Sequence, residues 1–217
     1  MKNKKLVVIA LLVLVVIFVG AMYSYKNVEN KKVENISTLN HAKAPFVRDY
    51  SVSFGDNKKD VYVVEFLDPQ CESCALFHPI MKKMFRENYQ DIKLVIRYLA
   101  NHNYSDLVIK MVEAARVQNK YNEVLETIYE KQAVWAVHYN EKPDLLWNYI
   151  SKIDGLDIEK LKEDMKNPKI DEIIKTDMQD AQSLYVRGTP TIFINGKKLN
   201  VLSAKTLDDL LISEMYK

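Results

Sequence analysis

Two residues separate Cys71 from Cys74, and these are the only cysteines in the chain of 217 residues. Thiols at this spacing can form a disulfide that opens and closes by thiol–disulfide exchange. Closing such a short loop removes little entropy from the unfolded chain, so the bond would contribute little to stability. The pair is therefore predicted to be present for its reactivity, as a redox centre.

The residues around the pair predict a strand, a turn and a helix. Residues 61–67 are β-branched and aromatic, as a buried strand requires, and Asp68-Pro69 ends that strand. Apolar residues at helical spacing predict a helix that begins at Cys71. Because a helix N-terminus offers unpaired N–H groups and a positive dipole end, it favours a thiolate. Cys71 is thus predicted to be the attacking sulfur and Cys74, one turn further in, the resolving sulfur.

The rest of the chain reads as a mixed α/β domain. Further strands are predicted at 50–54, 92–99 and 191–194, the last joined through the turn Asn195-Gly196 to a partner at 198–202. Helical periodicity runs through about 105–185, with Ser105-Asp106 as its predicted cap, and a final helix is capped by Ser203. Strand, helix and strand around Cys71 predict a β-α-β unit.

The N-terminus predicts a membrane segment. Residues 1–5 form a basic head, and residues 6–25 carry no charge over a length that can span a hydrocarbon core as a helix. A cleaved signal peptide, cut near Val19-Gly20-Ala21, is the alternative, but the long apolar run favours a retained signal-anchor. Residues 26–45 are polar and are predicted to be a linker to a domain at 46–217. Both alternatives place that domain outside the cytoplasm, in a bacterial cell envelope.

Composition and charge narrow the classes of partner. The formal net charge is +2 and the lysine pairs are too short to form a phosphate-binding stripe, so no nucleic acid is expected as a partner. Motifs for phosphate binding, for a serine nucleophile or for a zinc protease are missing from the sequence. Thiol–disulfide exchange at Cys71 and Cys74 is thus the chemistry that the sequence indicates.

Three features together resemble the thioredoxin superfamily, and the domain is similar to its DsbA-like branch. They are Cys71-Glu72-Ser73-Cys74 after a strand, Glu65 six residues before Cys71, and Gly188-Thr189-Pro190 before a strand. The resemblance implies a thioredoxin fold with a helical subdomain inserted at about 103–180. It also implies that Glu65 is a buried proton carrier for the resolving cysteine. Thr189 and a cis Pro190, with Gly188 before them, would pack against Cys71 and receive a substrate peptide.

The resemblance also implies an activity and its partners. The expected function is thiol–disulfide exchange on cysteine-containing exported proteins, supporting disulfide bond formation, with no cofactor beyond the Cys71–Cys74 disulfide. A membrane redox partner would reoxidise or reduce the pair, and residues 6–25 would hold the enzyme at the membrane. Exchange in the other direction, by a reductase or isomerase, is one alternative. A non-catalytic tethered binding domain is another.

Glu72 and Ser73 are expected to tune the redox pair. The strongest oxidases of the branch have Pro-His between the cysteines, whereas Glu72 places a negative charge beside the thiolate. At about 6 Å in water that charge costs about 0.7 kcal/mol, comparable with the helix-dipole contribution. The pKa of Cys71 is therefore expected toward the upper part of the range of activated cysteines, about 3.5–7.5.

A metal-binding chaperone is the alternative from another class. Cys71, Cys74, His78 and Met81 lie on one predicted helix face, and such a set could bind copper or zinc. Core packing is the favoured role of Met81, so no metal site is predicted. The other three histidines, His41, His102 and His138, have no partner at ligand spacing and are expected on the surface.

Overall fold

The computed structural model describes residues 3–217, with the side chains of residues 4–6, 33 and 37 left undescribed. It divides into two compact units, Met1–Leu39 and Asn40–Lys217. Residues 1 and 2 of the predicted basic head lie outside the described part.

Helix α1 (Lys4–Ser37) makes up most of the first unit. Within its stretch Val7–Ile36 a window of 18 residues reaches a mean hydropathy of 2.9, so the helix is long and apolar enough to cross a membrane. The helix continues twelve residues beyond the predicted span of 6–25, into the predicted linker. Residues 26–37 contain neither glycine nor proline, so nothing in their sequence breaks a helix that is already formed. The division into anchor, linker and domain stays a prediction.

One sheet organises the second unit. Its strands are β1 (Val52–Phe54), β2 (Val61–Leu67), β3 (Ile92–Tyr98), β4 (Thr191–Ile194) and β5 (Lys197–Lys198), in the order β1-β3-β2-β4-β5. Strands β2 and β3 are parallel, and the other pairs are antiparallel. Six of the seven residues of the central strand β2 are buried, as predicted for this run of β-branched and aromatic residues.

The hairpin from β4 to β5 forms where it is predicted but is shorter. Asn195 and Gly196 both have positive φ, 46° and 77°, as a tight hairpin turn requires. The paired residues of β5 end at Lys198, and one further hydrogen bond from the Leu199 N–H to the Ile192 carbonyl closes the ladder at 2.8 Å. The predicted partner strand at 198–202 is therefore wrong in its extent.

The helices fall into two groups around this sheet. Helix α2 (Glu72–Asn88) connects β2 to β3, and α9 (Ala204–Met215) follows the hairpin with Ser203 as its predicted cap. Between β3 and β4 lie α3 (Ser105–Val117), α4 (Tyr121–Glu130), α5 (Gln132–Trp135), a 3-10 turn (Pro143–Leu146), α6 (Trp147–Ile150), α7 (Ile158–Asp164) and α8 (Pro168–Ser183). The predicted α/β architecture with an inserted helical subdomain is thus confirmed.

A buried ion-pair network ties this insertion to the sheet. Arg97 of β3 is fully buried, and its Nη2 lies 2.6 Å from both Asp177 and Asp180 of α8. Its Nη1 donates to the carbonyl oxygens of Pro45 and Phe46, at 2.6 and 2.9 Å. A buried charge is tolerated only when its partners compensate the lost hydration, so these contacts fix the segment before β1 against β3 and α8.

Candidate active site

Cys71 and Cys74 lie where β2 ends and α2 begins. Both carry free thiols, and Cys71 is the N-cap residue with extended backbone angles, while its carbonyl accepts from the Ala75 N–H at 3.1 Å. Cys74 is 1% exposed, whereas Cys71 retains 8% of its surface. The two sulfurs are therefore unequal, with Cys71 at the surface of the site and Cys74 beneath it.

Their pKa values diverge for the same reason. The hydrogen bond from the Cys74 thiol, with further N–H groups of Cys74 and Ser73, lowers the pKa of Cys71 to about 5 against the opposing effect of burial. Burial raises the pKa of Cys74 well above its ordinary value, and the neighbouring Cys71 and Glu65 charges act in the same direction. At neutral pH the reduced site thus holds one thiolate, on Cys71, and one thiol, on Cys74.

The pKa of Cys71 is lower than expected from the sequence, because that expectation did not include the hydrogen bond from the Cys74 thiol. The Glu72 side chain is 65% exposed, and its Oε1 lies 3.6 Å from Nε2 of His138. Its charge is therefore solvated and directed toward an imidazole, while the helix N-terminus and the Cys74 thiol act directly on the Cys71 sulfur.

Neutralising Glu72 is accordingly expected to change little. In Glu72→Gln the pKa of Cys71 should fall by less than about half a unit, since an exposed charge at about 6 Å contributes about 0.7 kcal/mol at most. Thiolate absorbance of the reduced protein, followed against pH beside the wild type, measures this. A fall of more than about one unit would show that Glu72 opposes the thiolate strongly.

Glu65 lies in the middle of β2 and is buried as predicted, with 3% of its surface exposed. Its register partners on both sides, Ile96 and Ile192, are apolar. Burial raises the pKa of Glu65 to about 7, so the carboxyl can hold or release a proton near neutrality. It also borders an apolar cavity of about 390 Å³ that His78 and Met81 help to line.

The loop before β4 faces Cys71. The Thr189–Pro190 peptide bond is cis, as the family resemblance implies, and the Cys71 sulfur lies 3.3 Å from the Thr189 carbonyl oxygen. The Gly188 carbonyl accepts from the Thr191 hydroxyl at 2.8 Å, which fixes the loop to the start of β4. The structure thus brings together Cys71, Cys74, Glu65 and the Thr189–Pro190 loop.

Asp68, which the sequence reasoning treated only as a strand terminator, organises the loop before the cysteines. Its buried carboxylate accepts from the Gln70 N–H at 2.9 Å, the Asn101 N–H at 3.0 Å and the Ser105 hydroxyl at 2.6 Å. Nδ1 of His102 lies 2.7 Å from the same carboxylate. A signal for this role was present in the sequence, since a short acidic side chain before a turn commonly accepts neighbouring backbone N–H groups.

Two sequence expectations about this region are wrong. Ser105 does not cap α3, because its hydroxyl accepts from the His102 N–H at 2.8 Å and donates to Asp68. His102 is not an unpartnered surface residue, because its side chain is only 31% exposed and is paired with Asp68. His138 is exposed as expected, but it lies beside Glu72 and borders the site.

The helical insertion supplies further contacts to the redox loop. Nε2 of the buried Gln132, at the start of α5, donates to the carbonyl oxygens of Pro69 and Cys71, at 2.9 and 3.2 Å. The Gln70 side chain accepts from the Tyr104 N–H at 2.7 Å. No local sequence signal marks Gln132, because it acts on a loop about sixty positions away.

His78 and Met81, which were considered as metal ligands beside the two cysteines, lie in apolar surroundings. Met81 is buried in the core as favoured, and the His78 ring packs against Tyr129 with centroids 5.1 Å apart. Across residues 3–217, no three side chains of His, Cys, Asp or Glu converge as metal ligands. The expectation that the protein holds no metal stays a prediction.

A cavity of about 370 Å³ opens beside Cys71. Three segments line it: residues 70–73, residues 101–103, and the loop after α5 that includes Ala136, His138, Tyr139 and Glu141. Cys74 is not part of the lining. The cavity therefore approaches the redox pair from the side of Cys71 alone.

The family model described as Thioredoxin matches residues 48–212. The chain belongs to the thioredoxin family. The oxidised BdbD of Bacillus subtilis superposes with a TM-score of 0.67 at 22% identity, covering 77% of this chain and 94% of that one. The alpha-DsbA1 of Wolbachia pipientis superposes with a TM-score of 0.69 at 17% identity, covering 79% and 94%. These two crystal structures confirm the fold.

A curated relative indicates the class of chemistry. The probable disulfide bond formation protein D of Bacillus cereus is 27% identical over 213 residues, covering 92% of this chain and 93% of the relative. Together with the family match and the structural likeness, it confirms the prediction of a DsbA-like thiol–disulfide oxidoreductase.

Proposed function

We propose that the protein exchanges disulfides with the cysteines of exported proteins through Cys71 and Cys74, in the oxidising direction. The observation that carries this is the asymmetry of the pair, with a pKa of about 5 at Cys71 and a strongly raised pKa at buried Cys74. A stable thiolate on Cys71 favours the reduced form of the enzyme, which makes its disulfide an oxidant.

Each residue then has a role in one exchange cycle. A substrate thiolate attacks the Cys71 sulfur, a substrate–Cys71 bond forms, and the Cys71–Cys74 bond breaks. Cys74 leaves and takes up a proton, for which Glu65 is the proposed carrier because it is buried and its pKa is about 7. The Thr189–Pro190 loop is proposed to align the substrate backbone, and a second substrate thiol then releases Cys71 as a thiolate.

Helix α1 supports a proposal for the location of the enzyme. We propose that α1 anchors the enzyme with residues after about 26 outside the cytoplasm, because it is long, apolar and preceded by a basic head. An oxidase at this location would be reoxidised by a membrane protein, and a reductase or isomerase would instead receive electrons across the membrane.

Two cysteine variants test the activity. The full chain, purified in detergent in its disulfide form, is incubated with a reduced, unfolded protein that contains two cysteines. We expect Cys71→Ala to abolish oxidation of that substrate. Cys74→Ala, which cannot form the enzyme disulfide, is incubated instead with the same substrate in its oxidised form. Its Cys71 thiolate should break the substrate disulfide, release one substrate thiol and accumulate a mixed disulfide that no second enzyme thiol resolves, visible by non-reducing electrophoresis. Oxidation at the wild-type rate by Cys71→Ala would refute the proposal.

The direction is tested in the cell. Rapid acid quenching followed by thiol alkylation measures the fraction of the pair held as a disulfide. A mostly oxidised pair is the expected result. A mostly reduced pair would refute the oxidising direction and favour a reductase or isomerase.

A further inference from the structure

His102 is held in a defined orientation beside the redox pair. Its Nδ1 lies 2.7 Å from the buried Asp68 carboxylate, and its backbone N–H donates to Ser105 at 2.8 Å. Because a carboxylate only accepts hydrogen bonds, Nδ1 carries the proton of this pair. In the neutral ring Nε2 is then the basic nitrogen.

The ring borders the space from which a substrate must arrive. Thiol–disulfide exchange displaces one sulfur by another, so the incoming sulfur approaches Cys71 from the side opposite to Cys74. The cavity of about 370 Å³ is lined by both Cys71 and His102 but not by Cys74, so a sulfur that enters it meets Cys71 and not Cys74. Other titratable side chains around it are Glu72, His138, Tyr139 and Glu141.

A base at this position would speed the reaction. The attacking species is a thiolate, whereas an ordinary cysteine thiol has a pKa of about 8.5 and is only about 3% ionised at pH 7. Glu65 lies in the middle of β2, lines the other cavity and is proposed to serve Cys74. His138 also lines the cavity of Cys71, but its nearest carboxylate, that of Glu72 at 3.6 Å, is itself exposed, so its ring is not held as that of His102 is.

We propose that His102, oriented by Asp68, is a catalytic base for the substrate thiol. The substrate S–H gives its proton to Nε2 of His102, and the resulting thiolate forms a bond to the Cys71 sulfur. The Cys71–Cys74 bond breaks, and its electron pair leaves on Cys74, which is protonated in turn. The substrate sulfur is oxidised and the enzyme disulfide reduced, so protons and electrons balance. This role rests on the proposed function.

Two thiols of different acidity test the proposal. The full chain in detergent, in its disulfide form, is mixed with either a cysteine-containing peptide or thionitrobenzoate, an aryl thiol already ionised at pH 7. His102→Gln should react about tenfold more slowly with the peptide. The largest possible loss of rate is about 30-fold, because about 3% of the peptide thiol is ionised at pH 7 without a base. It should react with thionitrobenzoate at the wild-type rate. The loss with the peptide should vanish near pH 10, where the peptide thiol ionises without help.

The control is His41→Gln, since His41 packs beside Tyr62 and does not line the cavity. It should match the wild type with both thiols. Equal losses with the two thiols, a loss that persists near pH 10, or no loss in His102→Gln would each overturn the base role. Failure of the wild type to oxidise either thiol, or wild-type activity in Cys71→Ala, would overturn the proposed function and this inference with it.

Discussion

Replacing Glu65 by glutamine should raise the free energy of unfolding by up to about 3 kcal/mol above pH 8. Burial raises the pKa of Glu65 to about 7 in the folded protein, whereas an unfolded glutamate titrates near its ordinary value. Between these two values the unfolded chain releases a proton that the folded chain keeps. The wild type therefore loses stability as the pH rises from about 4 to 8, and Glu65→Gln does not.

The measurement is urea unfolding of the disulfide form, in which neither cysteine titrates. Near pH 4 Glu65 is mostly protonated in both the folded and the unfolded chain, so the variant and the wild type should be about equally stable. The gap between their free energies of unfolding should open toward pH 8. A gap of the same size at both pH values would contradict the assignment, because it would arise from packing and not from ionisation. The same variant should exchange disulfides more slowly, since Cys74 loses its proposed proton carrier.

Reducing the Cys71–Cys74 disulfide should stabilise the folded domain at neutral pH. The pKa of Cys71 is lowered to about 5 by the hydrogen bond from Cys74 and by the helix N-terminus, whereas an unfolded thiol titrates at about 8.5. At pH 7 the folded thiolate therefore contributes about 3 kcal/mol to the reduced form. A group with a depressed pKa loses this contribution as the pH falls through its folded pKa, so little should remain at pH 4.

This prediction is checked by unfolding the reduced and disulfide forms in parallel from pH 4 to 7. The difference in unfolding free energy should grow by about 3 kcal/mol over that range. Glu65 titrates in both forms, so its contribution cancels from the difference. A difference that stays constant with pH would mean that Cys71 is an ordinary thiol, and the proposed oxidising direction would lose its support.

Local patterns made much of the site predictable. Strand β2, the turn at Asp68-Pro69 and helix α2 follow one another directly, so the sequence around Cys71 predicts their order and the place of Cys74 one turn into the helix. Glu65 was singled out by the family resemblance, and its place in strand β2 accounts for its burial. The Asn195-Gly196 hairpin is predictable because few residue pairs tolerate its backbone angles.

Contacts between distant segments were not predictable. His102 and Gln132 reach the redox loop from the helical insertion, more than thirty and sixty positions away, and neither carries a local signal. The low pKa of Cys71 was not predicted, because it depends on the hydrogen bond from the Cys74 thiol. Neither this bond nor the orientation of the Glu72 side chain can be read from the sequence. The effect of the Glu72 charge on the Cys71 thiolate was estimated from sequence spacing alone, and the exposed position of this side chain weakens it.

The Arg97 network also decides where the protein can be cut. The backbone carbonyls of Pro45 and Phe46 are two of the acceptors that compensate this buried guanidinium, and Arg48 reaches Asp180 at 2.8 Å. A soluble version made by removing helix α1 must therefore keep residues 45–50. Trimming to the first strand would leave Arg97 with unmet donors and release the insertion that carries His102 and Gln132. The few residues that look like the end of a tether are in this respect part of the catalytic domain.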